Sequence, residues 1–246
     1  MNETLLISIL AASITAGTPI LFAALGELIS ERAGVTNLGV DGMMLVGACA
    51  GFIAAQQTGS LLSGVGMALL AGSLMALIHA FLTVTLRANQ VVSGLALTLF
   101  GTGLSGYLGL DYVGQQATVV FSKLAVPGLS VIMGGALAGL GGAYLSLAYA
   151  PCWLENMTAG RGWIAVALVI FALWDPWRAL LGSYLFGGID ALGFHLQVVG
   201  LPVSVFILNM LPYIFTIVVL ILVLARKGGR LAAPQALGQP YDREER

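Results

Sequence analysis

Charge is the scarcest commodity in this sequence. Only 9% of its 246 residues are Asp, Glu, Lys or Arg, while 59% are apolar. A soluble domain carries about a quarter charged residues, so this chain has too little polar surface to face water on all sides. Its mean hydropathy of +0.97 points the same way. The outer surface must meet hydrocarbon, which makes the chain an integral membrane protein.

Other scarcities remove whole classes of function. The net charge of −1 comes without a clustered basic surface, which excludes nucleic acid as a partner. Lysine occurs at Lys123 and Lys227, neither within GxxxxGK[ST], so the chain holds no nucleotide-binding loop. Cys49 and Cys152 form no CxxC pair, and Cys49 reads as a small buried hydrophobe. His79 and His195 are far apart with no HExxH, so no metal site is expected. Ser93, in VVSGL, lacks the GxSxG elbow of a hydrolase. The chain is not expected to be an enzyme or to hold a cofactor. Intramembrane carboxylates are also few: apart from Asp41, the candidates Asp175 and Asp190 sit near the ends of apolar runs. Ion-coupled carriers normally need several, so energy for transport has to come from elsewhere.

What is present is apolar helix. Runs at 4–28, 61–86, 91–110, 129–149 and 204–225 are long enough to span a bilayer, which takes about 20 residues. Runs at 43–57, 163–174 and 177–193 are shorter. Continuous runs without ten-residue alternation indicate helices rather than a barrel. The leading MNET lacks a basic n-region, and the run after it exceeds a signal-peptide core, so 4–28 reads as a retained span. The expected fold is an all-α polytopic transmembrane bundle of about seven to eight membrane helices with a broken or re-entrant segment. It would occupy residues 1–225, followed by a polar cytoplasmic tail at 226–246.

Glycine is plentiful, with 33 residues, and much of it lies inside the spans. In GGALAGLGGA (134–143), Gly135, Gly139 and Ala143 recur every fourth residue, as do Gly134, Ala138 and Gly142. Such small-residue faces let helix backbones approach closely.

The break is expected at ERAGVTNLGVDGMMLVGA (31–48). Gly34, Gly39, Gly42 and Gly47 each weaken a continuous helix by about 1 kcal/mol relative to Ala. Between residues 33 and 86 the acidic or basic side chains are Asp41 and His79. Asn37 and Asp41 are spaced to share one helix face if that stretch is helical. An interrupted span is one way for membrane proteins to line a cavity with polar groups. The alternative is a solvated loop with a helix cap, in which Asp41 favours the N-terminus of the following helix. Glu27, Glu31 and Arg32 read first as interfacial anchors.

Charge also sets topology. Arg226, Lys227 and Arg230 place the tail in the cytoplasm, and Arg87 places the LRANQ turn there. Five apolar runs separate those two points. An odd number of crossings cannot join two cytoplasmic sites, so one run fails to cross or a crossing is missing.

The stretch GELISERAGVTNLGVDGMMLVGA resembles the signature of ABC-importer permeases of the branched-chain amino acid and simple-sugar superfamily. The resemblance is strongest to the nucleoside-type branch, which works with lipoproteins of the basic membrane protein family. LRANQVVSGLALTL (86–99), GGALAGLGGAYLSL (134–147), ENMTAGRGWIAVALVIFALWDPW (155–177) and the ending ALGQPYDREE resemble that branch too. The resemblance implies a permease subunit in a bacterial cell membrane, carrying a small polar solute such as a nucleoside. Its implied partners are a second permease subunit, ABC ATPase subunits that bind the ATP, and an external substrate-binding lipoprotein. Asn37, Asp41 and Asn209, the last in a Pro-flanked span, are the pathway candidates. Glu155, Asn156 and Arg161 are candidates for docking the binding protein, and Trp174–Arg178 for a cytoplasmic turn. The chain departs from the branch in one place. VFSKLAVPGLS (120–130) runs straight into VIMGGALAGLGG, where the family has a further crossing and a cytoplasmic loop with a coupling helix. The alternatives are a passive channel, a secondary carrier, or a coupling-deficient remnant.

Overall fold

The computed structural model describes residues 3–119, 130–198, 204–226 and 237, and the expected tail lies almost wholly outside them. Among these residues there are eight α-helices: α1 (Glu3–Arg32), α2 (Val40–Thr58), α3 (Leu61–Ala80), α4 (Gln90–Gly109), α5 (Ser130–Tyr144), α6 (Arg161–Ala172), α7 (Pro176–Val198) and α8 (Val205–Arg226). π-Helical turns at Phe81–Thr85 and Leu145–Tyr149 extend α3 and α5. Four helices are long and apolar enough to cross a membrane, those over Ile7–Arg32, Leu61–Thr85, Gln90–Tyr112 and Pro176–Gln197. The all-α transmembrane bundle expected from composition is the fold observed.

Helix α2 forms the centre. Val40 to Cys49 is buried without interruption, and the helix is surrounded by α3, α4, α5 and α6. Glycine permits this crowding. A Cβ on Gly142 of α5 would collide with the Met44 carbonyl of α2, and one on Gly47 would collide with Gly139. The repeats in GGALAGLGGA serve several neighbours: Gly135 and Gly139 face α3, Gly134 faces Gly26 of α1, and Gly142 faces α2. Outward, Leu95, Leu99, Phe100 and Tyr107 of α4 are exposed, as a lipid-facing helix requires.

The two ends of the bundle differ in charge. Arg32, Arg87 and Arg178 lie at one end, with the α3–α4 turn and the α6–α7 junction. The other end carries the α2–α3 turn, residues 110–119 and the 150–158 loop, with no Lys or Arg among the described residues there. The positive-inside rule makes the arginine end cytoplasmic.

That orientation sets the directions of α4 and α5. α4 runs parallel to α2 and ends outside, where Tyr112 accepts a bond from Gln57 and the Gln56 side chain bonds the backbone at Gln116 and Thr118. α5 runs antiparallel to α1 and α3, so it begins at the cytoplasmic end, where Gly134 meets Gly26. α5 and its π turn span 20 residues, about 30 Å of helix. Eleven residue steps separate Val119 from Ser130, about half of what a spanning helix needs. This change of end between α4 and α5 lies within the interval from Arg87 to the tail over which charge parity fails.

Candidate functional site

The segment between α1 and α2 turns back into the bundle. An irregular backbone away from water needs a partner for each N–H and C=O, and here side chains supply most of them. The Thr36 N–H donates to Gln90 Oε1 (2.8 Å), and the Asn37 N–H to Glu27 Oε1 (2.9 Å). The Gly39 N–H donates to Asn37 Oδ1 (3.0 Å), a local turn closed by the side chain. The Gly34 carbonyl accepts from Gln90 Nε2 (3.3 Å), and that of Leu38 from Thr98 Oγ1 (2.9 Å). His79 Nε2 lies 3.2 Å from the Thr36 carbonyl, which can only accept. The imidazole proton is therefore on Nε2, and Nδ1 accepts from Ser93 Oγ at 3.1 Å. Polar residues scattered through α1, α3 and α4 thus converge on one break.

Two helices begin inside the bundle and meet at Asp41. The carboxylate lies in the first turn of α2 and accepts from the Gly162 N–H (2.9 Å) in the first turn of α6 and from Thr158 Oγ1 (3.2 Å) in the loop just before it. One negative charge thus serves two helix N-termini, where it is favoured by the helix dipoles. α6 has 12 residues, about 18 Å, and its C-terminal end is cytoplasmic, so this junction sits near mid-depth. Gly162 is required for the approach, because a Cβ there would collide with the Asp41 backbone. Ala159 (φ 46°) and Gly160 (φ 79°) lead into α6, and Leu173 (φ 55°) and Trp174 (φ 56°) leave it. Such strained positions persist where neighbours over-determine them. Trp174 is held through its indole N–H to Glu31 Oε2 and through its carbonyl by Arg32.

Beside this junction lies a cavity of about 310 Å3 between α1, α6, α7 and α8. Arg161 and Asp190 form a 2.8 Å ion pair on its wall, the guanidinium also stacking over Tyr149 at 5.2 Å. The Tyr213 hydroxyl donates to the Ala159 carbonyl at 2.7 Å. Ile20, Ile164, Phe186, Phe194 and Pro212 supply the apolar remainder.

The sequence candidates fall as follows. Asn37 and Asp41 share one region but no helix face, since α2 starts at Val40. Both are buried, and their polar atoms bond neighbouring protein groups. Asn209 lies on α8, its side chain outside the described residues. Glu155 and Asn156 are exposed on the outer loop, whereas Arg161 is half-buried at the cavity. Glu27 and Glu31 are both buried on α1: Glu27 bonds the break at Asn37, and Glu31 bonds Trp174 at the α6–α7 junction. Asp190, expected near a run end, lies well inside α7, and Asp175 caps that helix by accepting the Arg178 N–H at 3.0 Å. Sequence reading missed Thr158 and Tyr213, whose surroundings give no pattern. The Arg161–Asp190 pairing had a signal, two opposite charges in an otherwise apolar region.

A mid-depth junction of discontinuous helices inside a lipid-facing bundle is the architecture of a solute permease. Residues 9–125 match the family described as branched-chain amino acid transport system / permease component. The chain is 38% identical to a putative glucose ABC transporter permease protein of Haloferax volcanii, over 96% of this chain and 98% of the relative. It is 28% identical to a nucleoside ABC transporter permease protein of Lactococcus lactis (95% and 96% covered). It is 26% identical to a guanosine ABC transporter permease protein of Bacillus subtilis (97% of each covered). The chain belongs to this family of ABC transporter permeases and is an integral protein of the cell membrane. No solved structure matches it significantly. The alignment to the Haloferax protein runs over 321 positions against 246 residues here, so at least 75 of them are gaps in this chain.

Proposed function

We propose that this chain is one permease subunit of an ATP-driven importer for nucleosides, working with a second permease subunit, ABC ATPases and an external binding protein. The observation that carries the reading is the meeting of two helix N-termini at Asp41, near mid-depth and beside a cavity. Two helices, α2 and the short α6 of 12 residues, begin there, and rigid-body movement of α6 alters access from one side without unravelling a full span. ATP-driven closure of the ATPases biases two packings of the bundle, and the solute contributes differential affinity. The relatives support a solute built around a sugar ring, since their names specify glucose, nucleosides and guanosine.

Coupling is assigned to the partner permease. The family match ends at residue 125, close to the change of end between α4 and α5, and the resemblance places the absent segment with its coupling helix there. Uptake in proteoliposomes tests the whole reading: guanosine accumulation is expected only with ATP, ATPases, binding protein and the second permease present. Accumulation without ATP means a channel or carrier. ATPase stimulation by this chain without a second permease overturns the coupling assignment.

A further inference from the structure

We infer that the cavity between α1, α6, α7 and α8 is a binding station for the vicinal hydroxyls of an uncharged sugar ring, free or within a nucleoside, with the Arg161–Asp190 pair reading the diol. The inference rests on the importer reading and adds to it a site and a recognition chemistry.

Size comes first. Ligand pockets run from about 300 to 1,000 Å3, so 310 Å3 suits one small solute and excludes an oligosaccharide. Charge comes next. The lining carries one cation and one anion, Arg161 and Asp190, in direct contact at 2.8 Å. A free phosphate or carboxylate would have to take the guanidinium from Asp190, leaving that carboxylate unpaired in an apolar wall. An amino-acid zwitterion would have to pull the pair apart. A hydroxyl pair requires neither. Each hydroxyl both donates and accepts, so one donates to Asp190 while its neighbour accepts from Arg161, and the ion pair stays closed.

Position supports the same chemistry. Arg161 is fixed from behind by the Thr158 carbonyl (3.2 Å) and by the Tyr149 ring, so its charge is held in place rather than swinging into the cavity. The side chains of Arg161 and Asp190 are 13% and 26% exposed, which leaves the pair partly accessible. Phe186, Phe194 and Tyr213 offer ring surface beside it, suited to the apolar face of a sugar or to a base. The Asp41 junction anchors the segment that carries Ala159 and Arg161 on the cavity wall, through Thr158 and Gly162.

The test is site-directed protection of the full chain in lipid nanodiscs, with neither binding protein nor ATPase present. Phe194→Cys, in a Cys152→Ser background, reports maleimide labelling from one wall, and Ile20→Cys repeats the measurement from the opposite wall. The probes are guanosine, 2′,3′-dideoxyguanosine, glucose and leucine. Guanosine and glucose are expected to slow labelling about tenfold at roughly ten times their Kd. The dideoxy compound and leucine are expected to leave it unchanged, because a site built to bond a hydroxyl rejects the analogue lacking it. Asp190→Ala, which leaves no acceptor for the hydroxyl, is expected to abolish protection by guanosine. Equal protection by the dideoxy compound or by leucine overturns the diol assignment, as does protection that survives Asp190→Ala. Guanosine uptake in the complete proteoliposome system without protection at either cysteine removes the cavity from the pathway and leaves the importer standing. Diol-dependent protection together with ATP-independent uptake does the reverse.

Discussion

Removing the Asp41 carboxylate is expected to be among the most damaging single changes in the bundle. Asp41→Ala strips the acceptor from the Gly162 N–H and from Thr158 Oγ1, both in buried surroundings. Hydrogen bonds to a charged group contribute about 1.5–3 kcal/mol each, so the loss is about 3–5 kcal/mol after partial relaxation. Asp41→Asn keeps one acceptor oxygen but removes the charge from two helix N-termini, each interaction amounting to about 0.3–2 kcal/mol. Its cost should be about 1–3 kcal/mol. Thr158→Val removes one donor and leaves the stronger backbone bond, costing about 1–2 kcal/mol. For a chain of this size 1 kcal/mol moves the midpoint by about 2–4 °C. Asp41→Ala should therefore lower the apparent Tm in detergent by ~10 °C, with Asn intermediate and Thr158→Val smallest. In the Asp41→Ala background, Thr158→Val should cost almost nothing further, since the shared bond is already gone. An Asp41→Ala Tm within about 1 °C of wild type, or additive losses in the double variant, refutes the argument.

Three further outcomes follow from the packing. Gly142→Ala drives a methyl into the Met44 carbonyl, so the yield of folded protein in size-exclusion chromatography should fall sharply, while Gly103→Ala, where a Cβ meets nothing, should match wild type. Trp174→Phe deletes the indole donor to the buried Glu31 carboxyl and is expected to cost about 1–3 kcal/mol, read as a Tm drop; Trp174→His, which keeps an N–H donor, should recover part of it. A cysteine at Asn37 should resist maleimide from both faces in the resting protein, because the site is buried. Rapid labelling from one face in every state of the transport cycle would make 31–48 a simple loop.

The helical elements were legible in the sequence because hydrocarbon imposes them. All eight apolar runs became helices, for a backbone in lipid has to bond within itself, and the break fell within the glycine-interrupted stretch. Arginine placement exposed a crossing deficit between Arg87 and the tail. The roles within the break were not legible. Its backbone partners, Glu27, His79, Gln90 and Thr98, lie far away along the chain and look like isolated polar residues in apolar runs.

Asp41 shows the division most clearly. Its sequence neighbours mark it as the first-turn carboxylate of one helix, and that much is local chemistry. That it also serves α6, more than a hundred residues later, depends on glycine contacts drawing the helices together. The same holds for Arg161, whose surroundings in sequence point outward to a docking loop. Only the descent of residues 158–162 into the bundle brings it to Asp190. Local sequence determines which segments must be helices and where a helix is weakened. Which polar atoms meet at the resulting gap is decided by packing, because long-range contacts are set by helix shape and crossing rather than by spacing along the chain.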